Sequence, residues 1–357
     1  MKKNHTTSIE MSLLVIRTSS MGDVILALPV LRAFAASYPG EEMVFVTKKP
    51  FDRFVTGIPG VRVFLSDHHG RHRGIPGVFR VFKDLRKEYG ITAVADLHNV
   101  LRSKLLRFLF RLEGCRVASI DKGREEKRLL TKGLITGPLK HTTDRYADVL
   151  ARAGYPVKPV QGSWLKPTAA GLEKIAPLVR QSHGRLIGVA PLAKHRLKMW
   201  PPEIMVTMLN MLSAKKDCTL FLFGSPDEAD MISALSAKIP RSEAMAGRIG
   251  LEEEIALISK LDLMIAMDSS NMHLASMLGV NTLSIWGATH PWAGFSAWGM
   301  PEDNQIQIPV TELTCRPCTV YGKGECRRGD LACLYWLTPE KVLAKVLATL
   351  DLTAASK

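Results

Sequence analysis

The 357-residue sequence predicts an α/β protein built as two doubly wound parallel sheets. Three observations carry this expectation. Short apolar runs alternate with runs of helical period along most of the chain, the signature of strand–helix–strand units with parallel pairing. The alternation breaks once, at a stretch rich in proline and glycine, and then restarts. The length suits about two domains, and 46% apolar with 23% charged residues describes a globular chain able to bury a sizeable core. Disordered, collagen-like and small disulfide-stapled classes are excluded.

The first strand is Leu13–Ile16, stopped by Arg17. The turn Thr18–Asp23 then opens a helical run with Val24, Leu28, Leu31 and Ala35 on one face, kinked or restarted at Pro29. Further strands are expected at Met43–Val46, Val61–Leu65, Thr92–Leu97 and Arg116–Ile120, with helices at Pro76–Tyr89, Val100–Leu112 and Thr142–Ala153. Gly154, Pro156, Pro159, Gly162 and Pro167 mark an interdomain linker. The second half offers strands Leu186–Ala190, Thr219–Phe223, Leu263–Met267 and Thr282–Trp286, and helices Pro202–Ala214, Asp227–Ile239, Leu251–Lys260 and Met272–Leu278. A last helix is expected at Pro339–Leu350, followed by a fraying tail. The boundaries are a first domain over 1–160, a linker over 161–184, a second domain over 185–337 and a terminal helical segment over 338–357. Ligands of open α/β sheets gather at the carboxyl ends of the strands, so both halves are expected to face a central cleft.

No window approaches 18 uninterrupted apolar residues. Residues 1–10 are polar, unlike a signal peptide, which points to a cytoplasmic protein. The net charge is +14, and residues 1–160 hold 28 Lys and Arg against 15 Asp and Glu. The first half should attract an anion: nucleic acid, a lipid headgroup or a phosphorylated glycan. Solubility charge alone gives the same balance.

Several chemistries lack their motifs. There is no G-x-x-x-x-G-K-[ST] loop, no strand-following G-x-G-x-x-G, no H-E-x-x-H and no G-x-S-x-G. No D-x-D pair occurs either, so a bound diphosphate would be neutralised by Lys, Arg and helix N-termini.

Five segments could carry chemistry. Thr18-Ser19-Ser20-Met21-Gly22-Asp23 follows the first strand and places Asp23 at a helix N-terminus. Asp23 is there either a cap or an ionised general base. Asp268-Ser269-Ser270-Asn271-Met272-His273 follows strand Leu263–Met267 and opens a helix. It is either an ordinary N-cap or an anion site whose backbone N–H groups take a diphosphate, with Asp268 on sugar hydroxyls and His273 on a phosphate oxygen. Lys194-His195-Arg196-Leu197-Lys198 is either a solvated basic loop or a phosphate clamp centred on Lys198. Cys315, Cys318, Cys326 and Cys333 either hold a structural metal or stay reduced in a compact loop. Basic loops at His68–Arg73 and Lys122–Arg128 suit a phosphate or carboxylate or form a solvated rim. They contain no aromatic residues, which argues against a nucleic-acid path.

In order along the chain, SSMGDVILALPVL, DKGREEKR, KMWP, MDSSNMHLASMLGV, WGATHP and the cysteine cluster with LTPEKV resemble glycosyltransferase family 9, the lipopolysaccharide heptosyltransferases. The resemblance covers roughly residues 11 to 345. It implies a GT-B fold of two Rossmann-like domains, with the C-terminal helix packing back on the first. It implies an inverting transfer from a nucleotide sugar, ADP-heptose in the best-known members, without metal or other cofactor. The acceptor would be an anionic lipid-linked glycan of the lipopolysaccharide inner core, met at the inner membrane face. By that resemblance Asp23 is the general base. Lys198, Asp268, Ser269, Ser270, Asn271 and His273 hold the donor, with Gly224, Glu228 and Ile249 around its nucleoside. Ser20, Gly22, Arg71, Arg73 and Arg124 would meet the acceptor. The commoner family pattern has Gly at the place of Ser270 and often Pro at that of Asn271, which leaves the sugar open. Other readings are another nucleotide sugar or glycan acceptor, a sugar-nucleotide epimerase on the same fold, and a non-catalytic binder of anionic lipid or nucleic acid.

Overall fold

The computed structural model describes residues 11–355. The polar start read against a signal peptide, and the last two residues of the tail, lie outside them. The chain forms two compact units. The first comprises residues up to Lys122 together with Thr142–Gln161; the second comprises Gly123–His141 and everything from Gly162 onward.

The first unit is a five-stranded, all-parallel sheet. Its strands are β1 (Met11–Ile16), β2 (Glu42–Thr47), β3 (Val61–Leu65), β4 (Gly90–Asp96) and β5 (Arg116–Ser119), in the order β3-β2-β1-β4-β5. Leu13 through Ile16 and Met43 through Val46 are buried on both faces, which is why these strands read as continuous apolar runs. The helices are α1 (Met21–Ile25), α2 (Leu28–Ser37), α3 (Gly74–Glu88) and α4 (Leu101–Leu112). Pro29 does restart the first helical run: α1 ends at Ile25 and α2 carries the proline in its first turn.

Helix α5 (Arg124–Thr131) lies in the second unit, and α6 (Thr142–Ala153) returns to the first. The boundary expected at residue 160 is therefore crossed by an excursion. Within the second unit Leu139 N–H donates to the Trp292 carbonyl (2.8 Å), and the Lys127 ammonium lies 4.1 Å from the centre of the Phe295 ring. These contacts account for segment 123–141 keeping company with the second sheet.

The second unit holds β6 (Arg185–Ala190), β7 (Cys218–Leu222), β8 (Ser242–Ala244), β9 (Leu263–Met267), β10 (Thr282–Ile285) and β11 (Gln305–Ile306), in the order β11-β10-β9-β6-β7-β8, again all parallel. Its helices are α7 (Ala169–Gln181), α8 (Pro202–Lys215), α9 (Ala229–Ser236), α10 (Leu251–Ile258), α11 (Ser270–Met277), α12 (Ala332–Tyr335) and α13 (Pro339–Ala355). The span expected as linker contains α7, which packs on α10 and is tied there by Lys174 to Glu253 (2.8 Å). The last helix packs on α8 of its own unit, with Lys216 paired to Asp351 (2.8 Å), because buried Val342, Leu343, Val346 and Leu350 join the second core. Among the described residues no helix is long and apolar enough to cross a membrane.

Candidate active site

All strands of each sheet run the same way, so the loops after them collect at one edge of each unit. In the first unit that edge carries the Thr18–Asp23 turn. Ser20 caps α1, Gly22 is buried in its first turn, and Asp23 occupies the third position. The backbone N–H and hydroxyl of Ser20 donate to Asp23 Oδ2 (3.2 and 2.7 Å), and the Arg17 guanidinium forms an ion pair with the same oxygen. No hydrogen bond among the described residues reaches Oδ1, and 27% of the side chain is exposed. Burial pushes the carboxyl up, but Arg17 and the two Ser20 bonds outweigh it and hold Asp23 below the usual carboxylate range. Asp23 is thus a cap that keeps one oxygen open and ionised.

The rest of the turn is braced from β4. Arg17, 6% exposed, donates to the Leu97 carbonyl (2.6 Å), and its guanidinium lies 5.8 Å from the Tyr146 ring centre. Tyr146 donates to the Asp23 carbonyl (3.3 Å). Thr18 and Ser19 hydroxyls reach His98 Nδ1 and Nε2 (3.1 and 3.4 Å). Burial, then the Arg17 charge, pushes His98 down to about 4, so its ring is neutral at neutral pH. Arg17, His98 and Tyr146 went unrecognised in the sequence. Only Arg17 left a trace there, as the charge that ends an apolar run.

The three arginines expected at the acceptor divide between the two units. Arg71 is committed to Asp84 through Nε and Nη2 (3.2 and 2.8 Å). Arg73 caps α3 from an exposed position, and Arg124 begins α5 in the other unit.

In the second unit, Lys198 ends a short 3₁₀ turn after β6, and Asp268 follows β9. Lys198 Nζ lies 2.8 Å from Asp268 Oδ2, and Thr289, after β10, donates to that oxygen (2.9 Å). Gly287 permits this meeting of loops. A Cβ there would lie 2.9 Å from the Leu197 carbonyl and 2.4 Å from Leu334. Arg316, between two of the clustered cysteines and itself buried, donates to the carbonyls of Gly287, Trp286 and Thr289 (2.6, 3.2 and 3.0 Å). The cysteine segment therefore braces the loop that carries Thr289. All four of its thiols are free, and among the described residues no group of three or more His, Cys, Asp or Glu is placed to hold a metal ion.

Ser269 caps α11 without a side-chain cap bond, and its Oγ is buried with no partner among the described residues. The first-turn N–H groups of α11 at Ser270 and Asn271 have no intrahelical acceptor, so this turn is equipped to bind an anion. His273, 7% exposed, lies one turn further on. Asn271 donates its side-chain N–H to Glu254 (2.7 Å), which burial pushes up to about 7 against the effect of that bond. Gly224 and Glu228 follow β7, where Glu228 accepts from the Ser225 N–H and hydroxyl (2.7 and 2.9 Å). Ile249 lies on the loop after β8. Every residue expected at the donor falls in this one unit at the carboxyl ends of β6 to β9. Trp200 is fully buried and donates to the Leu337 carbonyl (3.0 Å), a packing role.

Residues 78–326 match the family described as glycosyltransferase family 9 (heptosyltransferase). The chain belongs to glycosyltransferase family 9. It is 26% identical to lipopolysaccharide heptosyltransferase 1 of Pseudomonas aeruginosa, over 86% of each protein. The glycosyltransferase family 9 structure from Veillonella parvula superposes with a TM-score of 0.75 at 18% identity, covering 95% of this chain and 97% of that one. The E. coli heptosyltransferase WaaC with ADP-2-deoxy-2-fluoro heptose gives 0.64 at 20% identity, covering 95% and 99%. These likenesses give the fold, which is GT-B, and the family makes the chain a glycosyltransferase.

Proposed function

We propose that this glycosyltransferase moves a heptose from ADP-heptose to the inner core of lipopolysaccharide, with inversion and without a metal ion. The observation that carries the reading is the pair of strand-end sites. One holds an ionised carboxylate with an open oxygen, and the other has Lys198 beside Asp268 and first-turn N–H groups suited to a diphosphate. Relatives named for lipopolysaccharide heptosyl transfer, and a neighbour holding an ADP-heptose analogue, support the donor and acceptor classes.

In this mechanism Asp23 Oδ1 takes the proton of the acceptor hydroxyl while its oxygen attacks the anomeric carbon. The new C–O bond forms on the face opposite the diphosphate. The old bond breaks, and its electron pair leaves with ADP, so the configuration inverts. Lys198, Ser269 and the first turn of α11 with His273 stabilise the charge growing on the diphosphate, a role a metal plays in other enzymes. Asp268, held by Thr289 and Lys198, presents its remaining oxygen to a sugar hydroxyl. Gly224, Glu228 and Ile249 surround the nucleoside.

On the acceptor side Ser20 and Gly22 shape the turn, Arg73 and Arg124 remain available to anionic groups, and Arg71 serves only if it leaves Asp84. The acceptor is a lipid-linked glycan, reached by peripheral contact with the cytoplasmic face of the inner membrane. The test is transfer with purified protein, ADP-heptose and acceptor in the presence of a chelator. An enzyme that converts donor without acceptor would instead be an epimerase.

A further inference from the structure

We propose that the outward faces of α3 and α4 dock on anionic lipid headgroups, with Ile75, Phe79, Leu101 and Phe108 entering the interfacial layer. The inference rests on the reading above, in which the acceptor is lipid-linked.

The inner faces of these helices are already satisfied. Val78, Val81 and Leu85 of α3 and Ser103, Leu106 and Phe110 of α4 are buried, and the Phe82 and Phe110 rings meet edge-on at 4.9 Å. Folding therefore does not explain the apolar residues facing outward. Ile75 is 63% exposed, Phe79 43%, Leu101 81%, Phe108 54% and Leu112 69%. Ile75 and Phe79 are four residues apart; Leu101, Phe108 and Leu112 follow at steps of seven and four. Each set lies along one stripe of its helix. Single exposed apolar side chains are ordinary, but five on two neighbouring helices form a surface.

The charges beside them decide the occupant. The two helices carry eight Lys and Arg against Asp84 and Glu88, and Asp84 is taken by Arg71. Lys83, Lys87, Arg102, Lys104 and Arg111 have no ion-pair partner among the described residues. Lys104 and Arg111 stand on the same α4 stripe as Leu101 and Phe108, and Lys83 and Lys87 continue the α3 stripe beyond Phe79. Apolar side chains with long cationic neighbours suit the boundary of an anionic bilayer, where stems stay in the apolar layer and charged heads meet phosphate. Both helices begin at the carboxyl edge of the sheet, the edge that holds Asp23. A docked face would keep that edge near the lipid that anchors an acceptor.

The test is sedimentation of the full-length chain with vesicles of phosphatidylcholine alone or mixed with phosphatidylglycerol. Wild type should pellet with the anionic vesicles, less as salt rises, and stay in solution with the neutral ones. Lys104→Glu with Arg111→Glu should weaken binding by at least about twenty-fold, from about five-fold per cation. Leu101→Ser with Phe108→Ser should weaken it by about ten-fold or more. Met231→Ser, exposed on α9, should change nothing. All variants should keep wild-type turnover on a delipidated, water-soluble acceptor. Absence of binding to anionic vesicles, or binding that both double variants retain, overturns the proposal. Loss of that turnover in wild type itself would instead overturn the reading it rests on.

Discussion

Replacing Asp23 with Asn separates the chemistry of the carboxylate from its structural work. The amide keeps the shape and can still accept from Ser20, but it cannot take a proton at neutral pH. Loss of a positioned general base lowers kcat by roughly 10²- to 10⁴-fold. The same change leaves Arg17, 6% exposed, without its counter-charge. Breaking a fully buried pair costs about 3–5 kcal/mol; with 27% of the Asp23 side chain exposed, roughly 2 kcal/mol is expected. In a chain of 357 residues, with an unfolding entropy of about 2.1 cal/mol/K per residue, that lowers Tm by roughly 3 °C. Calorimetry gives the Tm, ADP release gives kcat, and titration with ADP gives donor affinity, which should not change. Adding Arg17→Met to Asp23→Asn should recover most of the Tm and none of the kcat. A single Asp23→Asn variant with kcat within ten-fold of wild type would refute the base assignment. A double variant that regains turnover would show that the loss came from the unpaired arginine.

Lys198→Met should raise KM for the donor and lower kcat by about 10²- to 10³-fold, and should lower Tm because Asp268 keeps its burial and loses its cation; unchanged ADP affinity by titration would remove Lys198 from the donor site. Stability should also fall in acid. Burial pushes His68, His98 and His141 down to about 4 and His290 to about 3, so between pH 6.5 and about 4 the unfolded chain binds more protons than the folded one, and urea midpoints should drop across that window. Glu254 acts in the opposite sense. Raised by burial from 4.5 to about 7, it stabilises most below pH 4.5 and loses that contribution as pH rises through 7, so Glu254→Gln should abolish this component of the pH profile. A variant that keeps the wild-type profile would show that Glu254 titrates normally.

Most of the sheet framework was visible in the sequence because buried parallel strands write continuous apolar runs. Val61–Leu65 and Leu263–Met267 emerge with the expected bounds. The misses have physical causes. β8 is a partly exposed edge strand of three residues, Ser242–Ala244, with no apolar pattern to see. β11 has only two residues. α7 hid among the punctuation of the linker, behind Pro167 and with Pro177 inside it. The excursion of 123–141 into the second unit depends on partners at Trp292 and Phe295, about 150 residues away in sequence, which no local pattern encodes. Asp23, Lys198 and Asp268 were legible because each belongs to the polar segment that follows an apolar strand. Thr289 and Arg316 were not, because their importance lies in reaching across to another strand's loop.

The most direct test of heptosyl transfer is mass spectrometry of a reaction holding the purified chain, ADP-heptose and a chelator. The acceptor would be lipid A bearing Kdo or a heptosylated core. A product heavier by one heptose, with the anomeric configuration opposite to that of the donor, is predicted. Absence of product from both acceptors, with ADP still bound by the protein, would contradict this donor and acceptor assignment while leaving the family and fold in place.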